Sequence, residues 1–375
     1  MSAFDVMALD NPLAGDLDRI ISRTECQWAE MRGQRLFITG GTGFFGRWLL
    51  ESFAWANDHL KLDARAVVLS RRPGAFRQKA PHLAAHPAIQ FHFGDVRDFV
   101  FPTGHFSHVI HGATDASVKL NADHPLLMFD TIVQGTRRTL EFAAQAGVRK
   151  FLFLSSGAVY GRQPPDLKFV TEDYCGAPDS TNPREAYSGG KRVAELLCSL
   201  FAKTRNLEAK IARCFAFVGP HMQMDAHFAV GNFIRNAMHG GPIQVAGDGT
   251  PMRSYLHSAE LAAWLWTILF RGVSCRAYNV GSESCLSIAE IADAVAGCFT
   301  PRIPVEILQK PAAGLPSRYV PSIQRAREEL GLAQEIDPCG AILKTIRWLQ
   351  DGDTRPTLDS LGSETPALPG AASSV

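Results

Sequence analysis

Residues 39–46 read Thr39-Gly40-Gly41-Thr42-Gly43-Phe44-Phe45-Gly46, directly after the β-prone run Arg35-Leu36-Phe37-Ile38-Thr39 and at the start of a segment expected to be helical from about Phe44. In that setting the glycines have distinct physical tasks. Gly40 lets the chain turn sharply, Gly43 lets backbone approach a pyrophosphate, and Gly46 allows close contact between helix and strand. Thr42, Phe44 and Phe45 complete the turn and the opening of the helix. The helix N-terminus adds free N–H groups and the positive end of a peptide dipole, both suited to phosphate. The stretch is therefore expected to bind a dinucleotide.

Further strands are expected at Ala66-Val67-Val68-Leu69-Ser70, Ile89-Gln90-Phe91-His92-Phe93, His108-Val109-Ile110-His111 and Phe151-Leu152-Phe153-Leu154-Ser155, with a helix over 124–146. Apolar strands separated by helices imply a parallel sheet buried on both faces, a Rossmann-type doubly wound α/β domain. Residues 34–210 are assigned to it, with 211–219 returning to its sheet. Residues 220–350 are read mainly as a smaller C-terminal substrate-binding lobe. They include a helix over 286–299 begun by a Ser287 cap with Glu290 three residues on, and a helix over about 341–349. Residues 1–33 form a helical extension, in which Leu17, Ile20, Ile21, Thr24, Trp28 and Met31 recur at helical spacing and are read as packing. Asp10-Asn11-Pro12 is its expected start, and 351–375, rich in Gly, Pro, Ser and Thr, is expected to be a flexible tail.

The chain has 375 residues, 46% of them hydrophobic and 20% charged, with a net charge of +1. That composition is globular, and the near-zero charge without a long basic run argues against nucleic acid as a partner. The most apolar stretch, 261–270, is shorter than the ~20 residues a membrane span needs. The first ten residues lack the layout of a signal peptide, and the eight cysteines contain no Cys-x-x-Cys pair. A reducing cytoplasm is expected. His105, His108 and His111 are spaced by three, but two of them fall in one strand, where odd offsets face opposite ways, so no metal site is expected.

Cofactor type turns on the end of the second strand. NAD sites usually place an acid there for the ribose hydroxyls, whereas this chain offers Ser70-Arg71-Arg72. Two cations could hold the 2′-phosphate of NADP, so the reading tilts to NADP while leaving NAD open. Asp95, followed by Val96, would lie near the adenine amino group. The second chemical signal is Tyr187-Ser188-Gly189-Gly190-Lys191 leading into a helix. Residues four apart share a face, so Lys191 can sit near Tyr187 and the cofactor, and its charge together with that of oxidised nicotinamide is expected to lower the phenol pKa, making Tyr187 a general acid or base. Ser156, chosen over Ser155 at the end of the fifth strand, supplies a hydroxyl to orient the reacting oxygen.

With these three motifs in order, the chain resembles an extended short-chain dehydrogenase/reductase of the NAD-dependent epimerase/dehydratase family acting on nucleotide sugars, over about residues 34–350. Thr171-Glu172-Asp173 and Glu195 resemble framework positions around the active-site tyrosine. The run from Arg213 to Pro220, with Phe215 and Val218, resembles the segment passing the nicotinamide. Gly247-Asp248-Gly249-Thr250-Pro251-Met252-Arg253 resembles a turn ending in the arginine that grips a nucleotide diphosphate. The resemblance implies His111, Gly112 and Ala113 beside the cofactor, Thr114 in the pocket, and a homodimer formed through helices 124–146 and 186–203. Asn232, Phe233 and Gln244 are further candidates for contact with the sugar nucleotide.

Departures from the pattern narrow the reaction. Where 4,6-dehydratases carry an Asp-Glu pair after the active-site Ser or Thr, this chain has Gly157 and Ala158, which cannot transfer a proton. The lack of an acid also counts against a UDP-glucuronate decarboxylase pattern. The implied activity is hydride transfer at C4 of a nucleotide-linked hexose, as an epimerase or as a one-way NADPH-dependent reductase of a 4-keto-6-deoxy sugar. A non-catalytic NAD(P)-binding module is the alternative from another class.

Overall fold

The computed structural model describes residues 11–114, 117–224 and 228–353. The expected tail beyond 353 and the expected helix start at Asp10 lie outside the described residues. The first helix, α1 (Ala14–Trp28), begins after a turn in which Asn11 Oδ1 accepts from Leu13 N–H.

Seven strands form one parallel sheet: β1 (Arg35–Thr39), β2 (Arg65–Ser70), β3 (Ile89–Phe93), β4 (His108–His111), β5 (Lys150–Ser156), β6 (Glu208–Cys214) and β11 (Ala277–Val280). Their spatial order is β3-β2-β1-β4-β5-β6-β11, with every neighbouring pair parallel. The order reverses between β1 and β4, and in such sheets ligands bind outside the carboxyl ends of the strands at that point. Helices α2 (Phe44–His59), α3 (Pro73–Lys79), α4 (Pro81–Ala85), α5 (Val118–Asp123), α6 (Pro125–Gln145) and α7 (Ala186–Thr204) connect these strands up to β6.

The smaller lobe is built from α8 (Ala229–Met238), β8 (Ile243–Val245), β9 (Met252–Ser254), β12 (Cys285–Ser287), α10 (Ile288–Ala296), β13 (Val305–Ile307), β14 (Arg318–Tyr319) and α12 (Pro338–Asp353). Here β9 lies between β12, antiparallel, and β14, parallel. The Ser287–Glu290 capping box forms, starting α10 after a short strand where the sequence suggested helix. Two short strands, β7 (Phe217–Val218) and β10 (Leu256–His257), pair at the junction of the lobes.

Residues 220–350 do not all belong to the smaller lobe. Helix α9 (Ser258–Arg271) and β11 rejoin the large sheet, and α11 (Gln324–Leu330) packs beside β11. The apolar stretch 261–270 is the body of α9, buried on all sides because the sheet covers one face and α1 another. Trp28 of α1 meets Trp266 with ring centroids 4.5 Å apart and Phe270 at 5.4 Å. Trp266 donates to Ser52 Oγ of α2 at 2.8 Å, joining three helices in one core. Helix α1 is thus an integral outer layer packed on α2 and α9 of the large domain. Among the described residues no helix is long and apolar enough to cross a membrane.

Candidate active site

The turn after β1 is held by backbone contact with the turn after β4. Gly40 has φ +74°, and a Cβ there would lie 2.5 Å from the carbonyl of Gly112. At Gly46 a Cβ would run into the backbone of Gly40 and Gly41, so helix α2 can dock only with glycine at that position. Gly43 differs: a Cβ would meet nothing closer than Gly40 O at 3.5 Å, so packing within the protein does not require glycine there. Gly43 is also the N-cap of α2 and supplies no side-chain cap, which leaves first-turn N–H groups facing outward. Open backbone and unspent donors fit a pyrophosphate.

Thr39 Oγ1 accepts from Ala113 N–H at 3.1 Å and lies 2.6 Å from His111 Nδ1, binding β1 to β4 beneath this crevice. The His111 ring is buried, with Nε2 2.9 Å from Thr136 Oγ1 of α6, and burial lowers its pKa to about 3. Its side chain braces β4 against β1 and α6. His108 points to the other face, toward Glu30 at 3.0 Å. Among the described residues no group of His, Cys, Asp or Glu could hold a metal ion.

At the end of β2, Ser70 Oγ accepts from Arg72 N–H at 3.2 Å, while the side chains of Arg71 and Arg72 are exposed. The Asp95 carboxylate is gripped by Arg97 at 2.8 and 3.2 Å and lies 4.0 Å from Arg71. These bonds hold its pKa below the usual carboxylate range. Val96 turns inward onto Gly135.

The catalytic candidates converge at the end of β5. Ser156 is the last residue of that strand, and its Oγ accepts from Ala158 N–H at 3.1 Å. Ser155 is already used: it donates to Glu195 at 2.5 Å, and Glu195 in turn holds Arg213 at 2.7–3.2 Å. Tyr187 stands in the first turn of α7, fixed by its backbone N–H to Asn121 Oδ1 at 3.0 Å, while Asn121 Nδ2 donates to Arg184 O at 2.6 Å. One turn on, Lys191 is buried, donates to Leu154 O at 2.7 Å and lies 5.9 Å from the centre of the Tyr187 ring. Burial brings the Lys191 pKa down to about 8.

The protein's own groups do not by themselves lower the Tyr187 pKa; the expected lowering also counts the charge of oxidised nicotinamide. Burial pushes the phenol up, opposed by hydrogen bonding from Ser156. A desolvated phenol resists ionisation until further positive charge is supplied nearby. Gly157 has no room for a side chain, since a Cβ would lie 2.7 Å from the Phe215 ring.

Of the candidates on the substrate side, Arg253 is half-buried on β9, with Nη1 donating to Met252 O at 2.9 Å. Thr114 Oγ1 is buried and has no hydrogen-bond partner among the described residues. Asn232 is half-buried on α8, whereas Phe233 and Val218 turn into the core of the smaller lobe. Gln244 is exposed on β8 and faces Glu306 at 3.4 Å. Sequence reasoning missed two residues of this site, Asn121 and Tyr319. The Tyr319 ring lies 4.8 Å from that of Phe215, and its strand register puts it opposite Arg253. Neither residue belongs to a periodic run or a glycine-rich turn that would single it out.

A parallel sheet with this turn, and with serine, tyrosine and lysine gathered at its carboxyl edge, defines an enzyme of the extended short-chain dehydrogenase/reductase class. Residues 36–281 match the NAD dependent epimerase/dehydratase family, and the chain belongs to it. Among curated relatives, UDP-glucuronic acid decarboxylase 1 of Danio rerio is 28% identical, over 85% of this chain and 73% of the relative. UDP-glucuronic acid decarboxylase 6 of Arabidopsis thaliana is 27% identical, over 79% and 83%. Among solved structures, the dTDP-glucose 4,6-dehydratase of Streptomyces venezuelae with NAD and TYD bound has a TM-score of 0.72 at 23% identity, covering 85% of this chain and 98% of that one. The UDP-glucose 4-epimerase of Thermotoga maritima has a TM-score of 0.70 at 19% identity, covering 84% and 99%. At these identities the solved structures speak to the fold.

Proposed function

We propose that this chain is an NAD(P)-dependent nucleotide-sugar epimerase or ketoreductase working at C4 of the hexose. The observation that carries the reading is the convergence of Ser156, Tyr187 and Lys191 beside Gly157 and Ala158, a hydride-transfer set with no adjoining acid. Tyr187 gives or takes the proton of the C4 oxygen, and Ser156 holds that oxygen by a hydrogen bond. Lys191, with its pKa near 8, is largely cationic at neutral pH and attracts the phenolate form. A bound nicotinamide supplies the carbon that accepts or donates hydride. The outward N–H groups at the start of α2 hold its pyrophosphate, and Arg71 and Arg72 favour the 2′-phosphate of NADP. Arg253 meets the sugar nucleotide's diphosphate.

The curated relatives keep decarboxylation as a second reading, because their similarity extends over most of the chain. Against it stands the lack of an acid at Gly157 and Ala158. A thermal-shift panel of UDP-, dTDP-, CDP- and GDP-sugars, UDP-glucuronate included, with NAD and NADP side by side, tests the substrate class. A shift with a neutral hexose nucleotide, followed by turnover that Tyr187→Phe reduces by about 10²-fold or more, is expected. Release of carbon dioxide from UDP-glucuronate overturns the reading, and so does full activity in Tyr187→Phe. Tightly retained NAD with no need for added NADPH selects epimerase over reductase.

A further inference from the structure

Tyr187 enters α7 through a change of helix type. Residues Pro183–Glu185 form a single 3₁₀ turn, and α7 begins at Ala186. The bonds of the 3₁₀ turn run three residues back: Glu185 N–H donates to Asn182 O at 3.0 Å, and Ala186 N–H donates to Pro183 O. The next bond in that series would join Tyr187 N–H to Arg184 O. The side chain of Asn121 stands in its place, with Oδ1 accepting from Tyr187 N–H at 3.0 Å and Nδ2 donating to Arg184 O at 2.6 Å. One amide, 66 and 63 residues away from its two partners, thus replaces one backbone hydrogen bond. The substitution matters for the pair Tyr187 and Lys191. Residues four apart lie on one face of an α-helix, whereas at three residues per turn they diverge by about 120°.

We propose that Asn121 is a positioning residue for Tyr187: its amide ends the 3₁₀ turn between Arg184 O and Tyr187 N–H, starts α7 in α-helical register, and so sets the phenol on the face that carries Lys191. An amide suits this task because it holds a donor and an acceptor side by side, as a peptide unit does. The start of α7 offers no local substitute. Glu185 at the N-cap supplies no side-chain cap, and its carboxylate accepts instead from Ser188 Oγ. Asn121 is carried by α5, which Ser117 caps by accepting from Leu120 N–H at 3.1 Å. That helix follows β4 and the Gly112 backbone, which abuts Gly40 in the glycine turn after β1. Tyr187 is therefore located from the far side of the crevice as well as by its own helix. In the inserted arrangement the Lys191 ammonium lies 5.9 Å from the centre of the Tyr187 ring. Closing the direct bond from Tyr187 N–H to Arg184 O would carry Tyr187 into the 3₁₀ turn and turn its side chain away from that charge.

This inference rests on Tyr187 being the acid–base group, and its test reads the phenol without turnover. The chain has six tyrosines, few enough for 3,5-difluorotyrosine labelling of the whole protein, with the Tyr187 ¹⁹F resonance assigned by Tyr187→Phe. The low intrinsic pKa of the fluorinated phenol keeps its titration within the range of the folded protein. The titratable groups that act on this phenol are Lys191 of α7, the thiol of Cys214 on β6, which burial keeps protonated, and Tyr319 of β14. Asn121→Ala is expected to raise the Tyr187 midpoint by about one unit, a tenfold change in its ionisation constant, as the phenol leaves the Lys191 face. In a Lys191→Met background the same substitution should move the midpoint no further, because the contact it breaks is already gone. An unmoved midpoint in Asn121→Ala, even with a lowered melting temperature, shows that the amide merely caps the helix and overturns the inference. An equal shift with and without Lys191 overturns it too. Where a turnover assay is in hand, Asn121→Ala should lower kcat by about 10–100-fold with the KM for cofactor unchanged. A shifted midpoint in a protein that reduces or oxidises no sugar nucleotide sinks the proposed reaction alone. An unshifted midpoint in an active enzyme sinks this inference alone.

Discussion

Gly43 and Gly46 lie three residues apart in one motif, but the structure separates their tasks. A methyl group at Gly46 meets the backbone of Gly40 and Gly41, which cannot yield without moving helix α2 from β1. At Gly43 the same methyl has ordinary clearance, and φ of −85° suits any residue. Gly46→Ala is therefore expected to destabilise the fold by about 1–3 kcal/mol, the usual cost of overpacking, and to lose cofactor with it. Gly43→Ala should keep the melting temperature and weaken only dinucleotide binding, because its methyl would stand where the pyrophosphate approaches. Melting curves beside a cofactor titration separate the two, and equal losses of stability would contradict the distinction. The residue scale was also where the sequence was most explicit. Glycine turns and the Tyr187–Lys191 spacing are local patterns that a chain displays in one dimension. Tyr319 and Asn121 were not legible, because each acquires its place from a partner distant in sequence: Arg253 of β9 and the Phe215 ring for the first, the opening of α7 for the second.

At the scale of elements, the strands of the large sheet were readable because burial on both faces leaves continuous apolar runs. Strand β11 carries no such apolar run of its own, and its place beside β6 depends on a partner about 65 residues earlier. Helix α1 shows what a local stripe can conceal: its spacing revealed a buried face but not the partner. That partner is α9, and Trp28 is the main contact. Trp28→Ala is expected to cost about 3–5 kcal/mol in urea unfolding while leaving the cofactor affinity of the folded protein unchanged. A loss below 1 kcal/mol would show that α1 is a dispensable cover. Helices α6 and α7 pack together and expose Leu126, Leu127, Val193, Leu196 and Leu200 on their outer side. A patch of that kind fits the pairing of two copies through a helix bundle that the resemblance implies. Leu196→Lys, at a position 59% exposed, should convert a dimer to a monomer in sedimentation without lowering the stability of the monomer fold. A wild-type chain that sediments as a monomer removes the dimer proposal.

Across the whole molecule, the two lobes meet over several buried groups that titrate far from their ordinary values, and these give the protein a defined response to acid. His111 lies beneath the cofactor crevice, and His221 and His257 lie at the junction of the lobes; burial lowers their pKa values from 6.5 to about 3, 2 and 4. Both ring nitrogens of His221 are buried without a hydrogen-bond partner, and the Glu51 carboxylate stands 3.7 Å from Nε2. Glu260 at the start of α9 goes the other way: burial raises its pKa from 4.5 to about 7, although Glu335 and Ile336 N–H groups donate to it. A histidine that is neutral in the fold but protonates at 6.5 when unfolded favours unfolding as pH falls below 6.5. A carboxyl that is protonated in the fold but ionises at 4.5 when unfolded stabilises the fold as pH falls from 7 to 4.5. At pH 5.5 each histidine takes up close to one proton on unfolding and Glu260 releases close to one. The net uptake from these four groups is about two protons, so stability should fall by roughly 2.7 kcal/mol per pH unit there. Glu260→Gln isolates the opposing contribution. Its amide oxygen can still accept from Glu335 and Ile336, but it releases no proton, so the slope should steepen by about 1.4 kcal/mol per unit. Urea unfolding at pH 6.5, 5.5 and 5.0 for both proteins reads the two slopes. A wild-type stability that is flat or rising toward pH 5, or an unchanged slope in Glu260→Gln, would show that these groups meet solvent and that the lobes are not closed over them.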